Sequence, residues 1–235
     1  MRIVCTGRIS KRSMYQVLLL LTMLSAYAFS DLRMLSISIQ AIFLIVTVFA
    51  FSRTSLSQLR YLMWWGLFIT WGLSFAYLAY SPYAVLYELF AIGWSAAICF
   101  GIINFMENED KVHLVLRFVL AACVFLLIRL FIAVPFEEIG SMRLGALLGQ
   151  NSNRMGMVFA YGSIISVYFV QKYKKRKYYL LTTIFIIFAL LTGSKKAFFL
   201  LVTGVSLLMF LSTNKKTKIT KAILLSALFV FLLYH

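Results

Sequence analysis

Two adjacent lysines stand in a gap too short to need them. Residues 190–201 read LLTGSKKAFFLL, so Lys195 and Lys196 separate two apolar runs with only Thr-Gly-Ser before them. Gly193 can end the preceding helix and Ser194 can cap the next one, which puts both lysines in a first helical turn. That turn carries the positive end of the helix dipole and disfavours cations by roughly 0.3–1 kcal/mol. The same arrangement suits the capture of an anion such as a phosphate. The competing reading is a pair of interfacial lysines that snorkel to lipid headgroups.

A second segment upstream has the same ingredients. Residues 135–154 read PFEEIGSMRLGALLGQNSNR. Arg143 lies within it, and Asn151, Ser152 and Asn153 offer capping side chains just before an apolar run, with Arg154 in its first turn. Gly145, Gly149 and Gly156 permit tight turns and close backbone approach. An Asn-capped helix flanked by solvated arginines is the plain alternative.

Other residues carry less. Arg129 falls inside an apolar run, where an arginine either serves function or snorkels outward. Glu137 and Glu138 could act as a base, pair with Arg143, or simply be solvated. Glu88 reads as interfacial, and His113 as a histidine with no evident partner. His235 ends the chain and cannot be assigned. The sequence has no paired-carboxylate motif, metal-spaced His/Cys cluster, nucleophile motif or phosphate-binding glycine loop, so no catalytic residue and no metal or cofactor site is assigned.

The elements that must position these residues are membrane helices. The chain has 235 residues, of which 63% are hydrophobic and 13% charged, with two prolines; its mean hydropathy is +0.92. A soluble domain could not bury that much apolar surface. Apolar runs of about 20 residues match the length needed to cross a bilayer. The fold class expected is all-α, a polytopic transmembrane bundle forming a single domain over residues 1–235. Nine spans are placed at 14–30, 34–52, 61–80, 84–105, 114–134, 155–171, 178–192, 197–213 and 222–235.

The basic residues orient the spans. With the N-terminus inside, the inner segments hold sixteen of the 23 lysines and arginines, among them the run Lys172, Lys174, Lys175, Arg176 and Lys177. The outer segments hold five: Arg33, Arg143, Arg154, Lys195 and Lys196. Positive residues favour the cytoplasmic side, so the net charge of +16 reflects topology rather than nucleic-acid binding. Tyr61, Trp64 and Trp65 at one end of the third span, and Tyr77, Tyr80, Tyr83 and Tyr87 around the next turn, resemble interfacial belts. Cys5, Cys99 and Cys123 are scattered, without paired or metal-ligand spacing. The basic N-terminus followed by an apolar run is read as a retained first span rather than a cleaved signal. The apolar end at Tyr234-His235 suggests a truncated chain.

Arg143-Leu-Gly-Ala-Leu-Leu-Gly149-Gln-Asn151-Ser-Asn153-Arg-Met-Gly156, followed by Leu191-Thr-Gly193-Ser194-Lys195-Lys196-Ala197, resembles the O-antigen ligase/polymerase (Wzy-type) family. Members often show an R…G…NPN…G segment and a later T-G-S-R-K/G-A segment at helix starts. Here Ser152 stands where proline is common and Lys195 where arginine is frequent. The resemblance implies a multi-pass glycosyltransferase of the cytoplasmic membrane. Such an enzyme makes O-antigen, capsule or exopolysaccharide by moving glycans from polyprenyl-diphosphate carriers on the outer face. It would use no metal or cofactor and would work beside other polysaccharide-assembly membrane proteins. Arg143, Lys195 and Lys196 would then neutralise the diphosphate, with Asn151 and Asn153 shaping the helix start. Family members usually extend further, with more spans and a larger second outer loop, so the chain is expected to be an N-terminal fragment, inactive alone. A transporter or flippase of lipid-linked glycans or other anions is the alternative, and an assembly subunit without activity a third reading.

Overall fold

The computed structural model describes residues 11–50, 56–76, 79–135, 137, 139, 144, 148 and 151–211. Among them lie eight α-helices: α1 Lys11–Tyr27, α2 Arg33–Ala50, α3 Leu56–Ala76, α4 Pro82–Phe105, α5 Glu109–Ala133, α6 Ser152–Tyr173, α7 Arg176–Leu191 and α8 Lys195–Leu211. The fold is all-α. Each helix coincides with one of the first eight expected spans, while the stretch 222–235 lies outside the described residues.

The helix starts differ from the hydropathy boundaries for a local reason. α5 begins five residues before its apolar run because Asn108 caps it, its Oδ1 accepting from the Lys111 backbone N–H at 3.0 Å. Glu109 and Asp110 then occupy the first turn, where the dipole favours carboxylates. α4 opens on Pro82 at its first position, where a missing N–H costs nothing. By length and composition, α4 and α5 are long and apolar enough to cross a membrane; α1 and α2 contain shorter apolar stretches.

The chain divides into two compact units, Met1–Phe118 and Val119–His235. In the first, α1 packs on α2, α2 on α4, and α3 on α4. Hydrogen bonds tie these helices together. Tyr15 Oη donates to the Gly101 carbonyl at 3.0 Å and lies 3.1 Å from Thr47 Oγ1. Trp94 Nε1 donates to Gln40 Oε1 at 2.7 Å, Gln40 Nε2 to Ser36 Oγ at 3.0 Å, and Ser36 Oγ to the Ser25 carbonyl at 3.2 Å. Such bridges tie neighbouring helices together through directional polar contacts.

In the second unit, α6 packs against both α7 and α8. Its buried face is rich in small residues, Gly156, Ala160, Gly162, Ser163 and Ser166. Phe185 and Phe188 of α7 lie with their ring centroids 6.2 and 5.7 Å from that of Phe159. The later part of α5 joins them, since Cys123 Sγ donates to the Val158 carbonyl at 3.3 Å. α6 runs one way, α7 returns, and α8 runs again with α6. The starts of α6 and α8 therefore share one end of this unit.

Candidate anion site at two helix starts

The turn between α7 and α8 is built by three consecutive residues. Thr192 ends α7, its Oγ1 donating to the Ala189 carbonyl at 2.7 Å. Gly193 follows at φ 61, the left-handed conformation that glycine adopts most cheaply. Ser194 caps α8, its Oγ accepting from the Ala197 backbone N–H at 3.1 Å. The Thr192 hydroxyl also accepts from the Ser194 backbone N–H at 3.4 Å, so one buried side chain links the end of one helix to the cap of the next.

The start of α6 is capped as well. Asn151 Oδ1 accepts from the Asn153 N–H at 2.9 Å, leaving Ser152, Asn153 and Arg154 as the first three helical residues.

Gly156 brings the two starts together. A Cβ on Gly156 would stand 2.5 Å from Thr192 Oγ1, 2.8 Å from Ala197 Cβ and 3.0 Å from Ser194 Cβ. The first turn of α6 thus lies directly on the turn and first helical residues of α8, at a distance only a glycine allows. Thr192 and Ala197 are fully buried and Ser194 is 5% exposed. Asn151, Asn153, Arg154, Lys195 and Lys196 are all exposed at the rim of this contact.

Each helix start presents about half a positive charge from its unpaired N–H groups. Three cations, Arg154, Lys195 and Lys196, stand in the same first turns. Such an arrangement can hold an anion by charge and backbone N–H groups together.

The remaining sequence candidates distribute differently. Arg129 is half-buried near the C-terminal end of α5, and Glu137 is exposed beyond it. Arg143, Gly145, Gly149 and Glu138 lie outside the described residues, although Leu144, beside Arg143, is fully buried. His113 has a neighbour that its sequence context did not suggest: its Nε2 lies 3.7 Å from Glu109 Oε1, one helical turn earlier on α5. Among the described residues, no three His, Cys, Asp or Glu side chains lie close enough to hold a metal ion.

Sequence reasoning missed the role of Thr192. The available signal was a hydroxyl residue at the end of an apolar run, one position before the glycine that reverses the chain. No family model, curated protein or solved structure gives a match to this chain.

Proposed function

We propose that this is a multi-pass protein of the cytoplasmic membrane, with nine spans and its N-terminus inside. At the outer ends of α6 and α8 it holds the diphosphate of a polyprenyl-linked glycan. On this reading the chain belongs to a polysaccharide polymerase or ligase of the O-antigen type, which transfers the glycan while Lys195, Lys196 and Arg143 neutralise the diphosphate leaving group. Asn151, Asn153 and Arg154 complete the rim of the site.

The observation that carries the proposal is the contact of Gly156 with Thr192, Ser194 and Ala197. It joins two helix starts whose own residues supply cations at the end where a helix would prefer anions. The membrane part rests on what the helices turn outward. Phe49, Trp64, Trp71, Phe90 and Ile132 are each more than 60% exposed, a surface that suits hydrocarbon better than water.

The test compares the purified wild-type chain with a Lys195→Ala/Lys196→Ala variant in binding a polyprenyl-diphosphate oligosaccharide. Hydrogen bonds to charged groups contribute about 1.5–3 kcal/mol each, so affinity should fall on the order of a hundredfold. Unchanged affinity would sink the proposal.

The second reading, a transporter or flippase of lipid-linked glycans or other anions, has one observation on its side. The first unit holds a hydrogen-bonded polar path from half-buried Trp94 and Gln40 to buried Ser36 and Ser25. Movement of a lipid-linked glycan between leaflets of reconstituted vesicles, abolished by Gln40→Leu, would favour that reading.

A further inference from the structure

At the other end of the second unit, the chain turns from α6 into α7 through a run of cations. Lys172, Lys174, Lys175, Arg176 and Lys177 fall within six residues, and all five are exposed. α6 has 22 residues, about 33 Å at 1.5 Å per residue, so this turn lies roughly a bilayer's thickness from Ser152 at the start of α6.

The turn is held in shape. The Phe169 ring centroid lies 5.5 Å from that of Tyr173 and 5.1 Å from that of Tyr178, and the two tyrosines stack at 6.1 Å. Lys172 stands over the Tyr173 ring and Lys177 over the Tyr178 ring, at 6.0 and 5.2 Å. These contacts fix where the charged heads emerge.

Three features set this run apart from a solvated face. Lys174 closes α6 at φ 51, ψ 28, a left-handed position where glycine is the favoured residue and a side chain is strained. A lysine there keeps a positive charge at a backbone cost. Residues 139–235 also contain no aspartate or glutamate. The acids of this unit, Glu137 and Glu138, both precede α6, so α6, α7 and α8 carry no acidic side chain of their own. Arg176 and Lys177 further occupy the first turn of α7, which itself favours an anion.

The geometry points to a docking surface for anionic phospholipid headgroups on the turn at residues 172–177. Phosphates at the headgroup level meet the cations as the two helices leave the bilayer, and the tyrosines beneath sit at the depth where aromatic rings are favoured. The inference rests on the bilayer part of the proposed function and is independent of the transferase part.

The experiment reconstitutes the purified full chain and a Lys174→Gly/Lys175→Gln/Lys177→Gln variant in two kinds of vesicle. One is phosphatidylcholine alone and the other an equal mixture with phosphatidylglycerol; bound phosphatidylglycerol is read by native mass spectrometry. Each cation near a charged surface changes affinity about fivefold, so the triple variant should bind phosphatidylglycerol on the order of a hundredfold more weakly. In phosphatidylcholine alone its unfolding temperature should be unchanged or higher, because glycine suits the Lys174 backbone. Lys195→Ala/Lys196→Ala should keep the wild-type lipid preference, which separates this surface from the proposed diphosphate site. Equal lipid binding by the wild type and the triple variant overturns the inference. So does stronger competition by soluble polyglutamate than by phosphatidylglycerol, which would assign the surface to an acidic protein. A chain that washes off both kinds of vesicle overturns the membrane reading as well.

Discussion

Thr192 Oγ1 lies 2.5 Å from the point where a Cβ on Gly156 would stand. The start of α6 and the hinge into α8 therefore meet through a hydroxyl and a bare backbone. This one approach aligns the two capped ends that the proposed diphosphate site needs.

Replacing Gly156 with alanine tests that approach. Helix propensity alone would favour alanine by about 0.8–1 kcal/mol. Overpacking against Thr192, Ser194 and Ala197 should exceed that gain, since inserted methyl groups in tight sites cost about 1–3 kcal/mol. The variant is expected to unfold at a lower temperature than the wild type in the same detergent. Equal or greater stability would show that the helices can move apart freely.

The turn between α7 and α8 should respond differently at each of its residues. Ser194→Ala removes the side chain that accepts from the Ala197 N–H and should cost about 1 kcal/mol. Gly193→Ala forces a side chain into a left-handed backbone at φ 61 and should cost about 1–2 kcal/mol. Denaturant titration of the purified variants measures both. A Gly193→Asn variant should recover part of the loss, because asparagine tolerates that conformation.

In the first unit, Gln40 bridges Trp94 to Ser36. Gln40→Leu leaves the Trp94 N–H without that acceptor and should lower stability. Interhelical hydrogen bonds in membranes are worth about 0.6 kcal/mol on average and up to about 1.7. A double-mutant cycle with Trp94→Phe measures the coupling; zero coupling would mean that the bond contributes nothing.

Asn104 predicts the opposite sign. It is 2% exposed, and among the described residues neither its amide nitrogen nor its oxygen has a hydrogen-bond partner. A buried polar group left unpaired costs about 1–3 kcal/mol, whereas an apolar side chain of similar shape does not. Asn104→Leu is therefore expected to raise the thermal midpoint. A lower midpoint would reveal that the amide is bound to something in the working protein.

Much of the fold was legible one helix at a time. Eight runs of apolar residues marked eight helices, because a helix long enough to bury its backbone in an apolar setting must itself be apolar for that length. Gly193 and Ser194 announced the turn before α8, and Asn151 the start of α6, because caps act through bonds two or three residues away. The boundaries were less legible. At α5 the helix starts at Glu109 behind the Asn108 cap, among polar residues that hydropathy excludes but capping rewards. Asn104 gave no usable signal, since burial depends on what other helices bring near, and Thr192 was marked by no more than its place before the chain-reversing Gly193.

The sequence by itself therefore determined the local pieces: apolar helices, their capped ends, and cations set in first turns. Orientation put the starts of the sixth and eighth spans on one face, but only the tertiary structure decided that they touch. Gly156 and Thr192 are far apart along the chain, and nothing in either segment specifies the other. Their contact exists because α7 folds back along α6 and α8 returns beside it, with small residues on α6 permitting the approach. Periodicity and caps are short-range and can be read from neighbours, whereas close packing between helices belongs to shapes that form only when the chain has folded.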